Sequence, residues 1–256
     1  MADSLESSLR KIMESAGRLI EKVIGHAQKA KVSVGTRSGI KPILSLESQF
    51  PQEKIREMIN FSIDRICVPN LPNLKGQATL EIGDGPSILV PKYMGQQARL
   101  AIGFEIGGNP TLRQGDAGRG YIARGQSSSL PFPADFFEYV GARLATKVQG
   151  DVIKTIKEIG RVLAPGGQGF FVDFHPFGLY AKQGTDRLRS IESTIRGIED
   201  YYKISKTAGL RIVDFRESFI DESMRSMFSA DALQAYRNVK GTPLIALVFF
   251  FKPRPK

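Results

Sequence analysis

The chain has 256 residues, enough for one large α/β domain with extra helices, and its 41% hydrophobic content suits a soluble globular protein. No apolar run approaches the roughly 20 residues needed to span a bilayer, and the single cysteine, Cys67, excludes an intramolecular disulfide and any cysteine-cluster metal or iron–sulfur site. The net charge of +10 permits an anionic partner, nucleic acid or an acidic small molecule, although excess lysine also serves solubility.

The first residues, Met-Ala-Asp-Ser-Leu-Glu, place no basic region ahead of an apolar core. A secretory leader is therefore not expected, and a cytoplasmic protein is. Residues 3–29 read as an amphipathic helix in which Asp3 and Glu6 form a capping box. Leu5, Leu9, Ile12, Ala16, Leu19 and Val23 make its apolar stripe, and His26 near its end has a solvated or capping role. A second helix starts at Pro51 and carries Ile55, Met58, Ile59, Ile63 and Ile66 until Pro69-Asn70-Leu71-Pro72 ends it. Cys67 is expected to be a core or near-core thiol. Residues 1–75 are read as a helical extension that packs on or caps a main domain over 76–256.

That domain opens with a strand over 78–82, which ends in Gly83-Asp84-Gly85-Pro86-Ser87. A buried strand meeting two glycines one residue apart is how backbone is brought close beneath a ligand. Glu105 closes a second apolar run, over 98–104, where a carboxylate can accept two hydrogen bonds from a ribose diol. Dinucleotides and S-adenosylmethionine both use this arrangement. The dinucleotide fingerprint needs a third glycine where this chain has Ile88, and Pro86 removes a backbone donor from the turn.

A short helix over about 87–96 precedes the second strand, and the glycine-rich stretch 107–120 with Arg113 and Arg119 reads as a loop. Tyr121 to Arg124 forms a third strand. A helix over 151–163 ends in Ala164-Pro165-Gly166-Gly167, followed by a strand over 169–174 and by His175-Pro176. A helix over 187–208, a strand over 210–215, a helix over 219–239 and a buried strand over 244–251 complete the chain. There is no internal repeat.

Leu130-Pro131-Phe132-Pro133 with Phe137-Glu138-Tyr139-Val140 resembles the "LPFPD-x-x-FD-x-V" segment of class I S-adenosylmethionine-dependent methyltransferases, Ala134 and Glu138 replacing its two aspartates. Arg161-Val162-Leu163-Ala164-Pro165-Gly166-Gly167 resembles their "RVLKPGG" turn, and Glu81 to Ser87 their motif E-x-G-x-G-x-G, with Ser87 at the third glycine. The resemblance covers residues 78–175. It implies a Rossmann-like, seven-stranded, mostly parallel sheet with helices on both faces, beyond the N-terminal helical extension.

It also implies roles. Glu81, Gly83, Asp84 and Gly85 match the turn against the methionine and ribose part of S-adenosylmethionine. Glu105 matches the ribose-binding acid, Ile106 the side chain on the adenine ring, Gln126 the residue facing the adenine amino group and Ser127 a backbone contact. Arg143 stands near the reacting end of the cofactor, where it can orient a substrate anion or bind backbone carbonyls. His175, at a strand C-terminal end, is the better of the two histidines as a general base. The activity implied is methyl transfer to a small-molecule acceptor. A nucleic-acid acceptor stays open on charge, as does an inactive relative that keeps the fold and cofactor. No metal site is expected, arsenic-type methylation lacks the thiols it needs, and a dehydrogenase has no reason to carry the downstream motifs.

Overall fold

A computed structural model describes residues 50–83, 85–107, 111–114, 120–143, 152–175 and 198–255. The helix expected over 3–29 with His26, the turn residue Asp84, Arg119 and the beginning of the helix expected from 187 lie outside the described residues.

Helix α1 is Gln52–Ile66, with Pro51 at its N-cap and Arg65 in the last turn, where a cation suits the helix dipole. Strand β1 (Ala78–Gly83) leads into the short helix α2 (Val90–Gly95), and β2 (Leu100–Ile106) follows. The glycine-rich stretch, expected to be a loop, contains β3 (Thr111–Gln114), which turns back antiparallel onto β4 (Tyr121–Gly125). Thr111 and Leu112 supply a short strand-compatible run between the glycines, and pairing with β4 satisfies their backbone groups. Strand β5 is Phe137–Arg143, α3 is Val152–Val162 and β6 is Leu163–Phe174. Helix α4 (Ile198–Thr207), β7 (Arg211–Phe219), α5 (Leu233–Val239) and β8 (Pro243–Phe251) complete the set.

The sheet has eight strands in the order β3-β4-β2-β1-β5-β6-β8-β7, one more than expected because of β3. The block β4-β2-β1-β5-β6 is parallel, and β8 runs antiparallel to both β6 and β7. The Pro-Gly-Gly turn is absorbed into β6. Phe137 pairs with Leu163 but Tyr139 pairs with Gln168, so Ala164 to Gly167 bulge, held by Gly166 N to Lys252 O at 2.7 Å and Lys252 N to Gly167 O at 2.9 Å. The helix expected over 219–239 is broken. β7 runs on to Phe219, Asp221 accepts from Ser223 N to start a 3₁₀ turn over Glu222–Met227, and only the last part is α5.

Alternation along the central strands divides the apolar residues between two faces. On one, Ile55, Met58, Ile59 and Ile63 of α1 join Tyr93, Tyr236, Phe170, Val172 and Leu247 in one cluster. On the other, Ile156 and Ile159 of α3 and Tyr201 and Ile204 of α4 cover Leu80, Ile82, Val140, Phe171 and Val248. Helix α1 thus shares the sheet's own core. Met58 and Ile63 are wholly buried, each stabilising by about 1.5–3 kcal/mol. Cys67 is buried in the same cluster, and burial pushes its thiol pKa up strongly, which leaves it an unreactive core group.

Candidate functional site

Strand β1 is flanked by β2 on one side and β5 on the other, the point where the strand order reverses. Ligands of open α/β sheets bind outside the C-terminal strand ends there. The pairing register sets one row across that edge: Arg124, Glu105, Gly83, Arg143 and Val172 are consecutive neighbours on β4, β2, β1, β5 and β6.

Beneath the row, Glu81 is the hub of the turn. Its side chain is 1% exposed. Oε1 accepts from Ile88 N at 3.0 Å and Arg143 Nε at 3.0 Å. Oε2 accepts from Leu89 N at 2.8 Å, Val90 N at 3.1 Å and the Ser87 hydroxyl. The carboxylate therefore fills the N-terminal end of α2, where unpaired backbone N–H groups would otherwise need a partner. Ser87 closes this cap, and Arg143 adds a bond to Pro86 O at 2.9 Å.

The two glycines have different reasons. A Cβ on Gly83 would stand 2.8–2.9 Å from the Arg143 guanidinium, so a side chain there would push the arginine away from its bonds to Glu81 and Pro86 O. Gly85 has φ +78°, a conformation that favours glycine, and a Cβ there would meet only the Arg56 guanidinium, at 3.8 Å. Of the two roles expected for Arg143, the structure displays backbone binding, to the turn, joined to an ion pair with Glu81.

Glu105 stands beside Gly83, with its side chain 13% exposed, and its Oε2 accepts from Arg124 Nε at 2.5 Å. Its Oε1 carries no hydrogen bond among the described residues. Ile106, next along β2, is half-buried against the α3 side of the core. Gln126 is exposed at the end of β4, in a turn where its carbonyl accepts from Ser129 N at 3.1 Å. Ser127 is buried, its hydroxyl 2.9 Å from Thr155 of α3, so the side chain anchors the loop.

Beyond β5, His175 is buried at the end of β6, with Nε2 2.5 Å from Glu217 Oε1 of β7. Two residues earlier, burial pushes the Asp173 carboxyl up to about 7, against the opposing bonds from Phe174 N and the Tyr201 hydroxyl. The cleft between Pro72, Gln77, Glu138, Pro165 and Arg254 lies at the opposite strand ends, away from all these groups.

The structure thus gathers Glu81, Gly83, Gly85, Glu105 and Arg143 at one strand edge, with Ile106 and Gln126 at its flank. Arg56 and Glu217 escaped the sequence reading. Arg124 carried a signal, since it ends the strand expected beside Glu105. Arg56 and Glu217 carried none, because their neighbours are distant in the chain.

No protein-family model matches the chain. It is 25% identical over 108 residues to the ubiquinone/menaquinone biosynthesis C-methyltransferase UbiE of Vibrio campbellii, covering 39% of this chain and 42% of that one. The UbiE of Francisella tularensis is 23% identical over 133 residues, 47% of this chain and 53% of its own length. The chain therefore spans about half the length, or less, of these curated relatives. Among solved structures, an S-adenosylmethionine-dependent methyltransferase from Mesorhizobium loti has a TM-score of 0.54 at 16% identity, over 72% of this chain and 95% of that chain. A complex between the Haloferax volcanii Trm112 methyltransferase activator and a methyltransferase gives 0.56 at 17% identity, over 84% and 100%. Haemonchus contortus phosphoethanolamine N-methyltransferase 2, in complex with phosphomonomethylethanolamine and S-adenosylhomocysteine, gives 0.52 at 16% identity, over 76% and 53%. The shared architecture is the Rossmann-like methyltransferase fold.

Proposed function

We propose that the chain is a class I S-adenosylmethionine-dependent methyltransferase that transfers a methyl group from S-adenosylmethionine to a small-molecule acceptor. The observation that carries this reading is the placement of Glu105 directly beside Gly83, with the left-handed Gly85 turn above, at the reversal of strand order.

The residues present fit the cofactor. Glu105 offers Oε1 to a ribose diol while Arg124 holds Oε2, and Ile106 supplies an apolar face for a base. A dinucleotide fits less well. Its pyrophosphate requires a free helix N-terminus, and the amides of residues 88–90 are already bonded to Glu81. No helix among the described residues is long and apolar enough to cross a membrane.

The cofactor, when bound, supplies an electrophilic methyl carbon on a sulfonium sulfur. The chain's own task is then to fix the nucleoside, align the acceptor and exclude water. Glu81 and Arg143 serve by making the turn rigid before any ligand arrives. A base is needed only for an acceptor that must lose a proton. His175, held at the end of β6 by Glu217 of β7, is the group we assign to that step.

A small-molecule acceptor agrees with the names of the relatives, one a C-methyltransferase of quinone biosynthesis and one bound to phosphomonomethylethanolamine. A second reading, a fold that keeps the cofactor without turnover, is favoured by Ser87 standing where the motif it resembles has a third glycine. Calorimetric titration with S-adenosylmethionine and S-adenosylhomocysteine tests the primary claim. Saturable binding of both is expected, and absence of binding removes the nucleoside site. Single-turnover loss of the labelled methyl group to candidate acceptors then separates the enzyme from the silent binder.

A further inference from the structure

Strand β7 is one edge of the sheet, with β8 on one side and no second neighbour among the described residues. The alternate N–H and C=O groups that turn away from β8 are therefore left for another strand. The opposite edge, β3, is only four residues long, whereas β7 runs for nine. Natural edges of that length are usually blunted by lysine, proline or a bulge. Arg211–Phe219 holds neither lysine nor proline. Its bulge, between Ile212 and Asp214, leaves Val213 61% exposed. The other large apolar side chains that stand well exposed among the described residues are Tyr202, 50%, on the adjoining helix α4, and Phe219, 40%, on β7 itself. Apolar exposure is thus concentrated at one edge, the mark of a contact surface.

The charges on the strand identify the partner. Asp214 and Arg216 lie opposite Phe249 and Leu247 of β8, so they share one face of the sheet. They bond each other at 2.7 Å, and both side chains remain exposed. Phe215, between them, is the midpoint of β7. The antiparallel register that pairs the whole strand with a copy of itself therefore puts Phe215 on a two-fold axis. That same register sets Asp214 of each copy opposite Arg216 of the other, on a shared face, which is the charge-matched arrangement. We propose that β7 docks antiparallel against β7 of a second copy of this chain about Phe215, so that the two sheets continue into one. The four charges then alternate in sign across the seam, and Val213 and Phe219 lie within it. Glu217, which holds His175, falls inside the paired span, so assembly fixes the strand that positions this histidine.

Light scattering and sedimentation give the mass in solution of the full chain and of its Asp214→Arg, Arg216→Asp and Val213→Lys variants, with matched melting curves to establish folding. The parent is expected to run as two chains. Each charge variant sets like charges opposite each other at both symmetric positions, and should raise the dissociation constant at least about tenfold. An equimolar mixture of the Asp214→Arg and Arg216→Asp chains restores opposite charges across the seam. The mixture should therefore recover the two-chain mass that neither variant has alone, a rescue that losing the bond within one strand does not produce. Val213→Lys places a lysine on the edge and should also weaken the pairing. It decides the matter if a charge variant fails to fold. A monomeric parent, a two-chain mass retained by all three variants, or folded charge variants that stay monomeric when mixed overturns the proposal. A monomeric parent that pellets with phosphatidylserine vesicles gives the face to a lipid surface instead. The methyltransferase reading stands in each of these cases.

Discussion

Arg143 and Glu81 form a buried ion pair beneath the glycine turn, Nε donating to Oε1 at 3.0 Å with side chains 6% and 1% exposed. Removing the arginine leaves a carboxylate with backbone and hydroxyl donors but no counter-charge. Breaking one side of a buried pair costs about 3–5 kcal/mol, against about 0–1 for a surface pair. Arg143→Met is therefore expected to lose several kcal/mol in urea unfolding at pH 7 and to weaken cofactor binding with it. A loss as small as that of a surface pair would show that the amides of residues 88–90 alone stabilise Glu81.

Glu105 is expected to carry the ribose. Its Oε2 is bonded to Arg124, so Glu105→Ala removes both the ligand's acceptor and that ion pair. The loss for S-adenosylhomocysteine should be about 1.5–3 kcal/mol, the range for a hydrogen bond to a charged group. Arg124→Leu should cost less, because the carboxylate remains. Equal affinity in the Glu105→Ala variant would move the nucleoside elsewhere.

How much of this was open to sequence reading depends on the reach of each contact. The strand-turn at Gly83 and the acid at Glu105 were legible because each is announced by the apolar run that it ends. The role of Arg143 was half legible: its strand end was clear, but its partner Glu81 lies 62 positions away. Nothing in the chain near Gly83 announces that the Arg143 guanidinium packs against it, because that arginine ends a different strand. β3 was hidden because glycines on both sides of 111–114 read as a loop until β4 offers a partner. Helix α1 was legible as a helix but not as part of the sheet's core, since an apolar stripe does not say which surface it covers.

Gly85 has φ +78°, and a Cβ there would meet the Arg56 guanidinium at an ordinary contact distance of 3.8 Å. A β-branched residue is strained there, by an amount on the order of 1–3 kcal/mol. Gly85→Val should therefore remain folded, with a lower melting temperature, and lose detectable binding of S-adenosylhomocysteine. Retained affinity would show that the ligand does not approach this backbone.

Asp173 sets a pH dependence. Burial raises its carboxyl from an ordinary 3.8 to about 7, so between these values the folded chain holds a proton that the unfolded chain has released. Stability contributed by this group is full below the unfolded pKa and declines as pH rises from about 4 towards 7. Asp173→Asn mimics the protonated form. Its melting temperature should exceed the parent's at pH 8, and the difference should vanish near pH 4. A parent whose advantage over the variant grows with pH would reverse this assignment.

The last expectation concerns the positive charge. Strand order read from the sequence predicts Arg113, Arg119, Arg124 and Arg143 at or near the ligand edge, a grouping suited to phosphates, and the described row holds Arg124 and Arg143. Two of them are committed within the protein, Arg124 to Glu105 and Arg143 to Glu81, which lowers the net field at the edge. Arg119 lies outside the described residues. Nucleic-acid binding through several phosphates makes affinity fall steeply with salt, whereas one arginine on a small anion gives a shallow slope. Platforms for single strands also expose aromatic rings beside the basic groups. The well-exposed large apolar side chains among the described residues are Tyr202, Val213 and Phe219, on α4 and β7, away from the edge where Arg124 stands. Filter binding of bulk tRNA at two salt concentrations should therefore show weak retention that changes little between them. Tight retention lost at the higher salt would favour an RNA acceptor instead.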